Sequence, residues 1–513
     1  MAAAGGAGVT LADLLFAPDG PAGPSGPDDV LVHAGDRSWT RGWAVDRAES
    51  VAAALAAAGV GPGARVGVML PDGPDVVAAL FGVWRAAAAY VPLNPRLTDG
   101  EVDGVLASVG PAAVVTTGEH AGRFGARPLV VLVSPDAAPE VRPGTVGPGP
   151  ADPGDVALVQ FTSGTTGRPK AVLLTHAGVA DLLDGVVRKL RGGGSGPPSS
   201  GRAPMPNLVP VSLSLWAGVY NVLFALRVGA PVVVLERFTP AGFAAAVRRH
   251  GIRSTVLPPA AMAMLADAPE GEVGDLAPLR IVRSITAPLS PRQARRFRDR
   301  FGVTVLNSYG QTEIGGEIIG WSAADAREHG EDKLGSIGRP HDGVTARVVD
   351  DAGRDVPGGE PGELWLRTPA LAAGYAGGTD LADRLSPDGW FRTGDVARID
   401  AEGFVWVEGR LSDMVNRGGL KVFPAEVEEV LRSAPGVADA AVVGVPDDRL
   451  GEVPVAFVVP ARGVPVDAGA LAEHCRHHLA PYKVPVRFEP VAELPRNEVG
   501  KVLKADLATR AAT

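Results

Sequence analysis

Hydroxyl side chains, glycines and a cation converge in the segment Phe161-Thr-Ser-Gly-Thr-Thr-Gly-Arg-Pro-Lys170. Thr162, Ser163, Thr165 and Thr166 can donate hydrogen bonds to phosphate oxygens. Gly164 and Gly167 let backbone N–H groups turn toward an anion, and Lys170 adds a positive charge. An apolar run, Val156 to Phe161, leads directly into the segment, so it reads as a loop at a strand end. The chemistry suits a polyphosphate. It is not a Walker A loop, because Pro169 stands five positions after Gly164, and simple P-loop hydrolysis is disfavoured. Taken alone, the segment also reads as a flexible Gly/Thr surface loop.

Four further segments follow in order: Asn307-Ser-Tyr-Gly-Gln-Thr-Glu313, Trp390-Phe-Arg-Thr-Gly-Asp395, Gly409-Arg410 with Gly419 and Pro424 through Glu428, and Pro495-Arg-Asn-Glu-Val-Gly-Lys501. With the loop they resemble the signature segments of the AMP-forming adenylating enzymes, the superfamily of acyl-CoA synthetases, peptide-synthetase adenylation domains and luciferases. Stand-alone acid–CoA ligases are the nearest in look. The resemblance runs from Trp39 to Leu507. It implies an α/β fold, with a large multi-sheet N-terminal domain (residues 1–409) and a small mobile α+β C-terminal domain (410–513). It also implies ATP and Mg²⁺ at the site, with coenzyme A as co-substrate.

The individual residues can be read physically beside that resemblance. Tyr309, followed by Gly310, offers a flat face for adenine, Thr312 a hydroxyl for the α-phosphate, and Glu313 a carboxylate for Mg²⁺. Alone, the stretch equally reads as a strand end with a buried tyrosine and a solvated glutamate. Asp395 could accept two hydrogen bonds from a ribose diol, the task of the matching family aspartate, although an aspartate after glycine is also ordinary turn chemistry. Arg410 reads as a ribose or phosphate contact, against a surface ion pair. Lys501 would by itself be an inert exposed lysine. The resemblance makes it the principal catalytic residue of the first half-reaction, bridging the incoming oxyanion and the α-phosphate.

The chain departs from the family pattern in several places. Val209-Pro-Val-Ser-Leu-Ser-Leu-Trp-Ala-Gly218 lacks the histidine of the matching family segment. Leu213 and Trp216 are candidate pocket residues there, and alternation along a strand is the competing reading. Ile285-Thr286-Ala287 stands where glycines are common, which adds bulk to the pocket floor and suits a short or planar acid. Ser412 occupies the hinge position usually held by Asp or Lys. Gly419 and Lys421 are the candidate acceptor-site residues.

These segments need a layered scaffold. Helical patterns at 46–58 and 75–88 alternate with β-branched runs at 66–69, 113–116, 129–133, 156–161, 231–235 and 254–257, which is α/β patterning. The stretches 135–153 and 191–206 read as surface loops. Beyond Gly409, a helix from Pro424 stopped at Pro435-Gly436, strands at 440–443 and 453–459, and a helix at 468–479 mark the separate small domain. His474, Cys475, His477 and His478 read as an exposed helix face rather than a zinc site, because no second ligand pair follows. Gly59-x-Gly61-x-x-Ala64 follows a helix, not a strand, and is discarded as a dinucleotide fingerprint.

Composition bounds the rest. At 513 residues, two or more domains are expected. A net charge of -9 argues against a general nucleic-acid binder. A single cysteine excludes an internal disulfide. No secretory signal or membrane-spanning run is evident, so a cytoplasmic location is the default expectation. The partners implied are a small-molecule acid and a nucleotide; a carrier protein is an alternative acceptor and a homodimer is left open. Alternatives to acid–CoA ligation are the same adenylation with carrier-protein loading, amide formation or nitrite activation for diazotisation, or a non-catalytic nucleotide-binding homologue.

Overall fold

The computed structural model describes residues 10–17, 26–132, 136–144, 152, 155–162, 170–190, 204–377, 381–496 and 501–512. An eight-stranded sheet lies at the centre of the large lobe, in the order Gly374–Tyr375, Lys170–Thr175, Val156–Thr162, Ala89–Pro92, Arg65–Met69, Ala113–Thr116, Leu129–Val131 and Glu140–Arg142. Its middle strands are parallel, and the strands toward both edges are antiparallel. Strands Arg65–Met69, Ala89–Pro92 and Ala113–Thr116 are buried at every position. Parallel strands covered on both faces need such continuous apolar runs rather than alternation.

Helices Arg41–Ala57 and Pro74–Arg85 pack on this sheet. The first is capped by Thr40, whose side chain accepts from Trp43 N. The two helices meet at Gly82, where an added Cβ would lie 2.8 Å from Ala48 O and 2.8 Å from Val51 Cβ. The alanine richness of the first helix therefore serves close backbone approach.

A second, parallel sheet joins Ser254–Leu257, Ile281–Ser284 and Thr304–Asn307, in register so that Leu257, Ser284 and Asn307 line up at the carboxyl ends. Ligands of α/β sheets gather outside such ends. Here the chain runs straight on into 285–287 and 309–313. The latter opens a small antiparallel sheet, Tyr309–Gln311 with Gly316–Gly320 and Arg339–Pro340, and a four-stranded sheet carries Phe391–Ile399 beside Val405–Arg410.

In the small lobe, Val437–Asp447 and Gly451–Pro460 form a long hairpin flanked by Val415–Arg417, Leu420–Val422 and Arg487–Pro490. Helices Pro424–Ser433 and Ala468–His478 cover one face and Lys504–Ala512 the other. The start at Pro424 and the stop before Pro435 are as read from sequence. His477 and His478 are exposed as read, but His474 is half-buried, its Nε2 2.9 Å from Ser433 Oγ, and Cys475 is 0% exposed in the core. Leu471 and Cys475, four apart, make the buried stripe, which the neighbouring histidines masked. Among the described residues no group of three metal-ligating side chains occurs, and no helix is long and apolar enough to cross a membrane.

Gly82→Ala tests the close helix contact. Helix propensity alone would favour alanine by about 1 kcal/mol. The clash is with a backbone carbonyl, however, and overpacking of this kind costs about 1–3 kcal/mol. A lowered Tm in thermal unfolding is the expected outcome.

Candidate active site

Strand alternation puts Tyr309 and Gln311 on one face of their strand, and both reach a single carboxylate. Tyr309 Oη donates to Asp395 Oδ2 at 2.5 Å, and Gln311 Nε2 donates to the same oxygen at 2.7 Å. Gln311 also donates to Thr393 O at 3.0 Å. Asp395 Oδ1 faces Arg410 Nε at 3.0 Å, because Asp395 and Arg410 are directly opposite in the antiparallel register. Asp395 is 3% exposed and lies inside a strand, so the turn reading of its Thr-Gly-Asp context does not apply. Burial, reinforced by the adjacent Asp395 carboxylate, pushes the Tyr309 phenol well above its ordinary range and keeps it a donor.

A second chain of contacts starts at the hairpin. Thr162 and Lys170 are a register pair, so both ends of the phosphate-type segment are fixed by the central sheet. Ser163, Gly164, Thr165, Thr166 and Gly167 lie outside the described residues. Lys170 Nζ stands 5.2 Å from the centroid of the Tyr375 ring, and Tyr375 Oη donates to Glu313 Oε1 at 3.1 Å. Glu313 is 8% exposed, in the short turn Thr312–Ile314 that Thr312 opens. Hairpin, glutamate and aspartate clusters thus border one region at the strand ends. Gly310 has a packing reason of its own, since an added Cβ would lie 1.7 Å from Gly316 O.

Lys501 comes from the other lobe. An antiparallel bridge between Arg496 and Val502 and a 2.8 Å bond from Leu503 N to Pro495 O fix the chain around it. Burial, with the nearby Arg410 cation, lowers the Lys501 ammonium pKa, while Asp413 and Asp395 pull it the other way. The structure therefore brings Lys501 into the field of the Asp395 cluster. Ser412 is exposed in the turn Leu411–Asp413, where its hydroxyl donates to Asp413 Oδ1 at 3.0 Å. Gly419 adopts φ +87°, and Lys421 pairs across the lobes with Asp351 at 3.2 Å.

The segment 209–218 is not a continuous strand. After Asn207–Val209 the chain turns, Asp72 Oδ1 accepts from Leu213 N at 2.7 Å and Ser212 Oγ at 3.1 Å, and a helix begins at Trp216. The alternation reading is corrected accordingly: Pro210 and the capture of Ser212 and Leu213 by Asp72 end the strand. Leu213 is packed in the core, and Trp216 Nε1 donates to Gly315 O at 2.7 Å, tying that helix to the turn after Glu313. Ile285 is buried, Ala287 half-buried and Thr286 exposed. Thr286 holds φ +71°, so the glycine-type backbone persists without glycine.

The family model described as AMP-binding enzyme matches residues 23–376, well over half of the chain. The chain belongs to the AMP-binding enzyme family. The model of the AMP-binding enzyme C-terminal domain matches 426–501. The chain is 35% identical over 493 residues to a feruloyl-CoA synthase from Amycolatopsis sp, covering 94% of this chain and 96% of that protein. It is 34% identical over 469 residues to a sulfoacetate–CoA ligase of Cupriavidus necator, covering 89% of each. ATP-bound MatB from Rhodopseudomonas palustris superposes with a TM-score of 0.84 at 25% identity over 98% of both chains. The expectations of an AMP-forming acid ligase and of an α/β fold with a large and a small lobe are borne out.

Two members of the constellation went unassigned in the sequence, Gln311 and Tyr375. Gln311 was findable from period-two alternation with Tyr309, whereas Tyr375 carries no local signal and reaches Glu313 only through sheet pairing. Gln311→Leu should raise KM for ATP, since hydrogen bonds to a charged group contribute about 1.5–3 kcal/mol. Pyrophosphate exchange at varied ATP should show roughly tenfold weaker ATP use or more, with less effect on kcat.

Proposed function

We propose that the protein adenylates a small carboxylic acid with ATP and transfers the acyl group to coenzyme A. What supports this reading is the match to the AMP-binding enzyme family together with the buried cluster of Asp395, Arg410 and Tyr309, to which the charge of the small-lobe Lys501 couples. A carboxylate oxygen of the acid attacks the α-phosphorus, forming the acyl–phosphate bond as the bond to pyrophosphate breaks. Lys501 neutralises charge gathering at phosphorus and holds two mutually repelling anions together. The coenzyme A thiol then attacks the acyl carbon, losing its proton, and AMP leaves.

Asp395 and Arg410 bind the ribose side of the nucleotide, Tyr309 with Gly310 the base, Thr312 the α-phosphate, and the 162–170 segment with Lys170 the outer phosphates. Glu313 would hold Mg²⁺: that ion takes one or two carboxylates plus substrate phosphates, and a single buried carboxylate oriented by Tyr375 fits this donor set. When bound, the ion supplies charge neutralisation on the phosphates. The lobes divide at the end of strand Val405–Arg410, and Ser412 lies where the chain turns between the two steps, shielding the adenylate from water. Gly419 and Lys421 then border the acceptor, and Ile285, Thr286, Ala287 and Trp216 the acid. The relatives named above act on chemically different acids, so their names select none for this chain.

An AMP-release screen over carboxylic acids, with and without coenzyme A, tests the reading. Acid-dependent AMP release that rises with coenzyme A is expected, and none with any acid would defeat it. Lys501→Ala should abolish adenylate formation while ATP still binds; near-full pyrophosphate exchange by that variant would remove Lys501 from the mechanism.

A further inference from the structure

A buried polar cluster lies next to the proposed acid site, on the same elements, and the adenylation chemistry does not use it. Arg283 precedes Ile285-Thr286-Ala287 on its strand, Glu317 lies four residues beyond Glu313, and Tyr220 is one helical turn past Trp216. Arg283 Nη1 donates to Glu317 Oε1 at 3.1 Å, and His341 Nε2 lies 3.5 Å from that same oxygen. Glu317 Oε2 receives no hydrogen bond from any described residue. Lys189, from the helix that follows the phosphate hairpin, spends its ammonium on Gly320 O and Arg339 O, both at 2.8 Å. Burial would push the Glu317 carboxyl up, but His341, Arg283 and Lys189 outweigh it and hold the carboxyl well below its usual range.

The Tyr220 hydroxyl lies near enough to the ion pair to couple electrostatically to both Glu317 and Arg283. It is buried with no partner among the described residues, and its ring lies between Trp216, at 5.9 Å, and Phe224, at 6.4 Å. An unpartnered buried hydroxyl is costly, and native structures rarely leave one without a reason. Arg283 and Glu317 retain 16% and 12% side-chain exposure, so the ion pair is not sealed from solvent. Gly316 lets Trp216 Nε1 approach to 2.8 Å of the position a Cβ would take, placing the indole against the turn that leads from Glu313 to Glu317.

Resting on the adenylation reading, we propose that Tyr220, Glu317 and Arg283 form the distal end of the acid pocket. The acid it selects carries a hydroxyl or amino group at the end remote from its carboxylate. Glu317 Oε2 accepts a hydrogen bond from that group, and the Tyr220 hydroxyl pairs with the same atom. Arg283 acts through Glu317, as a positioning residue that keeps the carboxylate ionised and aimed. A pocket built to hydrogen-bond such a group rejects an analogue lacking it, because the protein groups are then left unpaired.

Pyrophosphate exchange with matched acids tests this: benzoate against 4-hydroxybenzoate and 4-aminobenzoate, and cinnamate against 4-hydroxycinnamate. The wild type should prefer the donor-bearing member of at least one pair in kcat/KM by about tenfold or more. Tyr220→Phe, which removes one oxygen, should lose most of that preference, the donor-bearing acid falling toward the bare one in kcat/KM. Glu317→Gln should lose it with KM rising more than kcat falls. Exchange with bare and substituted acids at equal kcat/KM, or an unchanged preference in Tyr220→Phe, would overturn the subsite and leave adenylation standing. Exchange with none of these five acids would also overturn the subsite, whereas absence of AMP release across the broader acid screen would strike the adenylation reading.

Discussion

A buried carboxylate must be answered, and Asp395 is answered from three directions at once. Arg410 meets one oxygen, and Tyr309 and Gln311 meet the other. Removing a partner from a buried charge costs more than the pair contributes, so each of these positions is constrained by the others. The constraint reaches beyond the cluster. Asp395 and Arg410 stand in one sheet, Tyr309 and Gln311 in another, and the two sheets keep a fixed relation because the hydrogen bonds span them. Lys501 enters the same field from the small lobe, where Arg410 and Asp395 act on it with opposite sign. A ligand with a diol and a phosphate would find acceptors, donors and a cation already in place, which is how preorganised sites reduce the cost of reaction.

Much of this could be read from residue types in order. The hydroxyl-rich hairpin, the two short runs at 307–313 and 390–395 and the terminal lysine are local signals, because each places its chemistry within a few residues of a strand end. Regular elements with caps were equally plain: Pro424 opens its helix, and the strand at 254–257 ends where alternation does. Strand Ala89–Pro92 carries little local signal because two of its four residues, alanine and proline, are poor strand formers, and its sheet neighbours rather than its own preference make it extended. The turn at 210–215 is hidden for a similar reason. It is shaped by Asp72, about 140 residues earlier, and no window along the chain contains both partners.

The polar cluster of Arg283, Glu317 and Tyr220 was invisible for the same cause, although each residue lies within a few positions of a recognised segment. Strand register and helix docking, not spacing, put the guanidinium on the carboxylate. Thr286 illustrates the opposite case, in which side chain and backbone disagree. Its identity suggests an extended residue, yet the loop imposes φ +71°, at a cost on the order of 1–3 kcal/mol that the surrounding fold must offset. Strain of this kind gathers where a loop has to present particular groups.

The contact between Lys421 and Asp351 joins the two lobes through side chains that are largely solvated, 48% and 86% exposed. Such pairs contribute at most about 1 kcal/mol, and dissolved salt screens them further. A bond this weak acts as a detent rather than a lock. In the domain turn proposed above, breaking this contact would add little to the barrier, and raised ionic strength would lower it further.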